Sequence, residues 1–347
     1  MIPELPFVTV IMPIRNEEKY IAGSLEAVLN QDYPAGRMEV LVADGMSTDR
    51  TREIVQRMAQ GDPRVRLLDN PGRIVPTGLN LALRQARGEI MVRVDGHCII
   101  APDYVSHCVR LLQEGRADGV GGPMETVGED PLSQTIALAM SSAFGVGGSA
   151  FRTVKDRELE VETVPFPAYR METIRRIGLF DEEQVRNQDD EYNYRLLKHG
   201  GRILLSPAIR SRYYSRSSLK KLWRQYFQYG FWKVRVLQKH PRQLRLRQFV
   251  PPVFVAGLAG AAGPAGPRGA GAVRAGGRVV PAGQPGREPA DRGALGLAAP
   301  AGAAAGFRHP AHWLRGRLPG GAGPVRRPLA AAFSRRAAGE RGMIFTG

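Results

Sequence analysis

Apolar runs and amphipathic stretches alternate along the chain from Phe7 to Leu112. The run from Phe7 to Ile14 is apolar almost throughout, as expected of a strand buried on both faces. Ile21, Leu25, Val28 and Leu29 follow at helical spacing. The same alternation returns with Val40-Leu41-Val42 and a helix from about Asp49 that turns Ile54, Val55 and Met58 inward. It returns again with Val65-Arg66-Leu67-Leu68 before a helix carrying Leu79, Ala82, Leu83 and Ala86, and with Ile90-Met91-Val92-Arg93-Val94 before one carrying Val105, Cys108, Val109 and Leu112. Strand–helix units in succession, each with a short apolar strand, predict an α/β fold: a doubly wound, mostly parallel sheet flanked by helices. Such sheets bind ligands in the crevice outside the carboxyl ends of their strands.

That rule directs attention to the acids standing at strand ends. Asp44 closes the second strand and opens Asp44-Gly45-Met46-Ser47-Thr48-Asp49. A carboxylate there can accept hydrogen bonds from a uracil imide or a ribose hydroxyl, and Gly45 permits close backbone approach. The alternative is an Asx turn, with Asp49 as the cap of the next helix. Asp95 and His97 end the fourth strand. A nucleoside diphosphate gains negative charge as its bond to a sugar breaks, and a divalent cation bridging the phosphates offsets that charge. Mg²⁺ and Mn²⁺ prefer oxygen ligands, and Mn²⁺ tolerates imidazole better, so the spacing of Asp95 and His97 suits a metal or phosphate role as well as a structural one for the histidine. Asn187-Gln188-Asp189-Asp190-Glu191 is a third acidic stretch; taken by itself it fits an Asn187 N-cap with acids at the positive end of a helix dipole. No GxGxxG follows the first strand and no GxxxxGK[ST] occurs, which argues against dinucleotide oxidoreductases and P-loop enzymes.

A stripe of Leu219, Leu222, Trp223, Tyr226, Phe227, Gly230, Phe231 and Val234 follows at helical spacing, with Lys220, Lys221, Arg224 and Arg235 elsewhere. It reads either as an ordinary helix packed on the catalytic domain or as an amphipathic helix lying in an anionic membrane surface. The nearby run Phe249–Leu258 is apolar but falls short of the ~20 residues needed to span a bilayer.

Composition changes near residue 256. Of the net charge of +16, the last 92 residues hold 13 arginines against three acids, +10 in all, leaving +6 for the remainder. The basic surplus therefore supports no specific nucleic-acid partner for the catalytic part. Beyond that point Ala, Gly, Pro and Arg dominate and large apolar residues are sparse, which predicts a low-complexity, disordered tail. GC-rich DNA read in a shifted frame would give the same composition. Met1–Pro6 has no basic region followed by an apolar core, and Cys98 and Cys108 have no metal-ligand spacing; both point to a cytoplasmic location with reduced thiols.

Residues 7–245 resemble the family 2 glycosyltransferases, and within them those that build bacterial exopolysaccharides of the succinoglycan type. The resemblance rests on Pro13-Ile14-Arg15-Asn16-Glu17, the three acidic stretches, Asn70-Pro71-Gly72, Asn80, Phe144-Gly145-Val146-Gly147-Gly148 and Val164-Pro165-Phe166. It implies a GT-A fold over residues 1–215, an amphipathic, membrane-proximal segment over 216–255, and a tail over 256–347. It implies a nucleotide-sugar donor, UDP-linked, bound by Pro13, Arg15, Glu17, Asp44 and Asp95, and a divalent metal, Mn²⁺ or Mg²⁺, held by Asp95 and His97. Asp189 would be the base of an inverting transfer to a saccharide or lipid-linked saccharide, on the cytoplasmic side of the inner membrane. The glycine-rich stretch from Gly145 would be a loop near the acceptor. The chain departs from the family pattern at Ala43, Met46, His97, Gln188 and Pro167. Two rivals stand beside this reading. Nucleotidyl transfer is disfavoured by Arg15-Asn16-Glu17-Glu18, where a glycine- and basic-rich loop would be expected. The other rival is an inactive membrane- or polysaccharide-binding remnant.

Overall fold

In the computed structural model, β1 (Val8–Ile14) and β2 (Met38–Asp44) are buried along their whole length. They lie inside an eight-stranded sheet with β3 (Val65–Asp69), β4 (Ile90–Arg93), β6 (Gly119–Gly121), β8 (Leu159–Glu160), β9 (Ala168–Arg170) and β10 (Ile203–Leu205). The strand order is β3-β2-β1-β4-β9-β6-β10-β8. β9 and β8 run against their neighbours, whereas β1 pairs in parallel with β2 and β4, β2 with β3, and β10 with β6. A smaller sheet joins β5 (Cys98–Ile100), β11 (Ser211–Tyr214) and β7 (Met124–Val127), in the order β5-β11-β7. The structure describes residues 5–142, 146, 149–215 and 218–262, all within the unit Met1–Arg268. The tail from residue 263, most of the expected low-complexity segment, lies outside the described residues, as do Phe144, Gly145, Gly147 and Gly148 of the expected acceptor loop.

Period-two alternation explains both faces of the sheet. Val8, Val10, Met12 and Ile14 of β1 face one core, shared with Leu25 and Val28 of α1 (Ile21–Leu29), Val55 of α2 (Thr51–Gly61) and Val105 and Val109 of α4 (Tyr104–Gln113). Ile11 faces the other, shared with Leu79 and Leu83 of α3 (Val75–Gln85), Ile174 of α7 (Met171–Ile177) and Tyr192 and Leu196 of α8 (Gln188–Lys198). The doubly wound, mostly parallel sheet predicted from the strand–helix alternation is the fold observed. The chain runs outward from β1 to β3 and then returns to β4 on the other side of β1. The sheet's switch point therefore lies between β1 and β4, where Arg15 to Glu17 and Asp95 to His97 emerge.

Two local expectations are corrected. Position 50, not 49, precedes α2, and Asp49 acts from one residue further back, its Oδ1 accepting the Thr51 N–H at 3.0 Å. Asn187 occupies the N-cap of α8 but is left-handed (φ 60°) and makes no side-chain cap; its Nδ2 donates to the Tyr229 carbonyl at 3.0 Å. The reason is tertiary. The long helix α9 (Leu219–Lys239) lies alongside the start of α8 and takes up its polar groups: Lys233 Nζ is 2.7 Å from Asp190, Arg235 3.1 Å from Glu183, and Lys239 pairs with Asp181 and Glu183.

The polar residues Lys233, Arg235 and Lys239 of α9 therefore meet the catalytic domain, and most of its apolar stripe does not. Trp223 is 69% exposed, Phe227 61% and Phe231 62%. The stripe continues onto α10 (Val250–Ala262), where Val253, Phe254 and Leu258 are also exposed, and the composition break at 256 falls inside this helix. Among the described residues no helix is long and apolar enough to cross a membrane.

Gly122, just after β6, shows how tightly the two sheets meet: a Cβ there would lie 1.5 Å from the Ile209 carbonyl oxygen. Gly122→Ala is expected to destabilise by about 3 kcal/mol or more, since backbone cannot move aside as a side-chain tip can. Gly61→Ala, at the end of α2 with nothing within 4 Å, should be neutral or stabilise by up to ~1 kcal/mol. Chemical denaturation of both variants checks this; equal stabilities would contradict the packing.

Candidate active site

The ends of β1, β2 and β3 form one corner of the crevice. Asp44 is fully buried: Oδ1 accepts the Ser47 hydroxyl, and Oδ2 accepts the Ser47 N–H at 3.0 Å and Arg52 Nη1 at 2.7 Å. The side chain thus closes a turn onto Ser47, three residues on, in place of the Asx turn weighed as an alternative, whose bond would reach two residues on. With three donors bound, the carboxylate keeps one of about four acceptor positions. Arg52 also holds Asp69 at 2.7 Å, tying the ends of β2 and β3 together. Pro13 is buried inside β1, whereas Arg15 is exposed and reaches past Gly45 to the Arg73 carbonyl at 3.4 Å. A Cβ on Gly45 would sit 3.3 Å from the Arg15 side chain and 3.4 Å from the Arg73 backbone, so a larger residue would push these neighbours apart by a few tenths of an ångström.

Backbone strain gathers at the same edge. Among the described residues, the non-glycine positions with positive φ are Asn16, Met46, Arg73, Phe166 and Asn187. The first three follow β1, β2 and β3, Phe166 precedes β9 beside the end of β4, and Asn187 stands at the N-cap position of α8. Left-handed non-glycine residues cost free energy and persist where surrounding structure holds them, as ligand sites often do. Asn16 illustrates the holding: its N–H donates to Ser47 Oγ at 2.8 Å and its Oδ1 accepts the Thr48 N–H at 2.8 Å.

The second corner is built on β4. Arg93 is 6% exposed, its backbone N–H bound to the Pro167 carbonyl at 3.0 Å and its Nε to Asp95 Oδ1 at 2.9 Å. Burial alone would lower the Arg93 pKa, but Asp95 and Asp189 together raise it above its usual value. Arg93 thus links two of the acids singled out from the sequence. Asp189, half-buried in the first turn of α8, has its pKa pushed up by burial; Arg93 pulls it back down and Asp190 pushes it further up. The Asp190 N–H donates to its Oδ1 at 3.0 Å, and the Asp189 N–H also helps to hold the carboxylate.

His97 completes this corner. Its Nδ1 lies 2.9 Å from Glu17 Oε1 and its ring meets Tyr213 of β11 edge-on at 4.9 Å. Gly96 lets the loop tuck under β1, since a Cβ would approach Ile14 to 2.9 Å and Glu17 to 3.1 Å. A carboxylate on one ring nitrogen fixes the imidazole and leaves Nε2 for a ligand, as in many metal-binding histidines. Among the described residues no three acids, histidines or cysteines converge as a cation cage. A cation bound beside Asp95 and His97 would therefore have to take most of its ligands from bound phosphates, the usual habit of Mg²⁺ sites at nucleotides. Cys98 and Cys108 are buried with pKa values raised by burial, and take no part.

The sequence reading omitted Arg52, Arg93 and Tyr213. Arg93 was findable: a cation between Val92 and Val94 in a fully apolar strand requires a nearby counter-charge. Arg52 and Tyr213 carry no such signal, because one looks like a surface helix residue and the other like any strand aromatic. Asn70 and Asn80 prove to be structural. Asn70 Oδ1 accepts Thr77 Oγ1 at 2.9 Å, and Asn80 binds the Phe180 backbone on both sides, at 2.8 and 2.9 Å.

Acids at and beside the switch point of a doubly wound sheet mark the place where such α/β proteins bind ligands, and comparison with known proteins identifies the family. Residues 9–178 match Glycosyl transferase family 2. The succinoglycan biosynthesis protein ExoA of Rhizobium meliloti (strain 1021) is 35% identical over 247 residues, covering 70% of this chain and 73% of its own. A Methanococcus voltae enzyme, dolichyl N-acetyl-alpha-D-glucosaminyl phosphate 3-beta-D-2,3-diacetamido-2,3-dideoxy-beta-D-glucuronosyltransferase, is 32% identical over 241 residues, covering 67% of this chain and 74% of its own. The mannosyltransferase PcManGT from Pyrobaculum calidifontis, solved in complex with GDP-Man and Mn²⁺, shares the fold with a TM-score of 0.56 at 24% identity, covering 76% of this chain and 77% of its own. The chain belongs to glycosyltransferase family 2. It is a glycosyltransferase of GT-A fold whose relatives act in exopolysaccharide and glycan synthesis.

The shared cation makes a titration prediction. Carbon NMR of the Asp189 carboxyl should show a midpoint above the usual aspartate value of roughly 3.9. Arg93→Met should move it higher, because the charge that favours the ionised form is gone. An unshifted midpoint in both proteins would mean that Asp189 feels neither burial nor Arg93.

Proposed function

We propose that this protein is an inverting, metal-dependent transferase that moves a sugar from a UDP-linked donor to a lipid-linked saccharide at the cytoplasmic surface of the inner membrane. The observation that carries the reading is Asp189: a half-buried carboxylate, raised by burial and sharing Arg93 with Asp95 at the sheet's switch point. A general base works best when its pKa approaches the operating pH, and burial moves Asp189 in that direction.

The nucleotide lies across the corner of Arg15 and Gly45, which the buried Asp44 braces from beneath through Ser47 and Arg52. Pro13 and Glu17 shape that corner from β1. Asp95 and His97 hold the metal, which when bound offsets the charge that develops on the diphosphate. Asp189 accepts the proton of the acceptor hydroxyl as its oxygen forms the new bond to the sugar C1. The bond from C1 to the diphosphate oxygen breaks, its electron pair leaves with the nucleoside diphosphate, and the anomeric configuration inverts. Arg93 stabilises both ionised carboxylates and keeps Asp189 deprotonated between turnovers.

The acceptor assignment follows from α9 and α10, whose exposed aromatic and aliphatic residues continue from the helix that touches the base through Asp190. Lys220, Lys221 and Arg224 beside that stripe suit an anionic lipid surface. The name of the archaeal relative describes an acceptor sugar on a dolichyl phosphate, and that of the bacterial relative describes succinoglycan synthesis.

With UDP-sugars and Mn²⁺, the purified protein is expected to release UDP. Asp189→Asn should keep donor affinity while lowering turnover by roughly 10²–10⁴, the range for loss of a general base. Asp95→Ala should lose metal-dependent donor binding. Near-parental turnover in Asp189→Asn, or metal-dependent binding retained in Asp95→Ala, would refute the respective role. Phosphatidylglycerol vesicles should sediment the protein, and Trp223→Asp with Phe227→Asp should abolish this; undiminished sedimentation would remove the membrane surface from the account.

A further inference from the structure

Arg152 is a half-buried cation that the reaction outlined above does not use. It lies in the short helix α6 (Ala150–Thr153), and its Nη1 donates to Thr126 Oγ1 at 2.8 Å. Its guanidinium carbon stands 5.4 Å from the centre of the Phe151 ring. The other groups that act on it electrostatically are the phenols of Tyr213, Tyr226 and Tyr229. Among the described residues no carboxylate pairs with it. Burial accordingly lowers its pKa, and the three tyrosines offset that only in part.

Its position is defined on two sides. Thr126 on β7 lies opposite Tyr213 on β11, and Tyr213 packs against His97 at 4.9 Å. Tyr226 and Tyr229 belong to α9, and the Tyr229 carbonyl binds Asn187, two residues before Asp189. Arg152 is therefore bounded on one side by Tyr213, which stands between it and His97, and on the other by the helix with the exposed apolar stripe. Arginine removed from water without an anion is costly, and its planar fork of donors matches phosphate oxygens. One donor of that fork is bound by Thr126, and the tyrosine hydroxyls around it can add hydrogen bonds to the same anion.

We propose that Arg152 binds a phosphate ester in the active-site crevice, and that this phosphate is the one joining the acceptor saccharide to its lipid. The side facing α9 favours the acceptor over the donor diphosphate, which has its own cation site at Asp95 and His97. This assignment rests on the lipid-linked acceptor of the proposed function.

The test uses the full chain, with calorimetric binding of two probes: farnesyl phosphate for the acceptor phosphate, and UDP with Mn²⁺ for the donor. Arg152→Gln should weaken farnesyl phosphate at least tenfold with UDP affinity unchanged, and Arg152→Lys should restore part of the loss. Weakened UDP with unchanged farnesyl phosphate would keep Arg152 as a phosphate ligand but overturn its assignment to the acceptor. Unchanged affinity for both probes would overturn the proposal while the glycosyltransferase reading stands. Failure of the parent protein to bind UDP with Mn²⁺ would count against that reading instead. If Arg152→Gln does not fold, phenylglyoxal labelling of the parent replaces it. Farnesyl phosphate should protect Arg152 and UDP should not, and labelling unaffected by either would refute the site.

Discussion

Arg93 cannot be buried in β4 without counter-charges, and that requirement organises the site. A guanidinium removed from water would be prohibitive if left alone, so the strand must deliver it to carboxylates. Asp95, two residues on, lies on the same side of the strand and receives a direct ion pair. Asp189 comes from a distant helix and contributes through space. The carbonyl of Pro167 fixes the Arg93 backbone, so the antiparallel strand β9 also serves this arrangement. One buried cation thus brings together an acid just beyond β4 and an acid at the head of α8, which the sequence separates by more than ninety positions.

Much of this was legible from the chain alone. Period-two and period-3.6 patterns gave the strands and helices because each has one dominant burial face. Asp44, Asp95 and His97 also stand at the carboxyl ends of their strands or just beyond, as the pattern predicted. The role of α9 was not legible, since an amphipathic stripe says that one face is apolar but not which face meets the protein. Here the charged face is consumed by Asp181, Glu183 and Asp190, which leaves the aromatic face outward. The left-handed conformation of Asn187 was hidden for the same reason: an asparagine before a helix normally caps it, and only the packing of α9 diverts its side chain. The saturation of Asp44 by Arg52 depends on a helix residue that looks like ordinary surface.

The structure also separates two chemistries that resemble each other in sequence. Glu39 and Asp44 are both fully buried acids on β2, yet Glu39 serves only to join strands, accepting Thr9 Oγ1 at 2.8 Å and Arg87 Nε at 2.9 Å. Asp44 lies at the strand end, where its partners Ser47 and Arg52 border the crevice. Burial alone therefore does not distinguish the two acids; their place along the strand does.

The central claim is that Arg93 and Asp189 act as one electrostatic unit. A double-mutant cycle on UDP-sugar turnover tests it most directly, comparing Arg93→Met, Asp189→Asn and the combined variant. Groups that act as a unit are strongly non-additive, so the double variant should be about as slow as the slower single one. Turnover losses that simply multiply would show that the two residues work independently and would contradict the account.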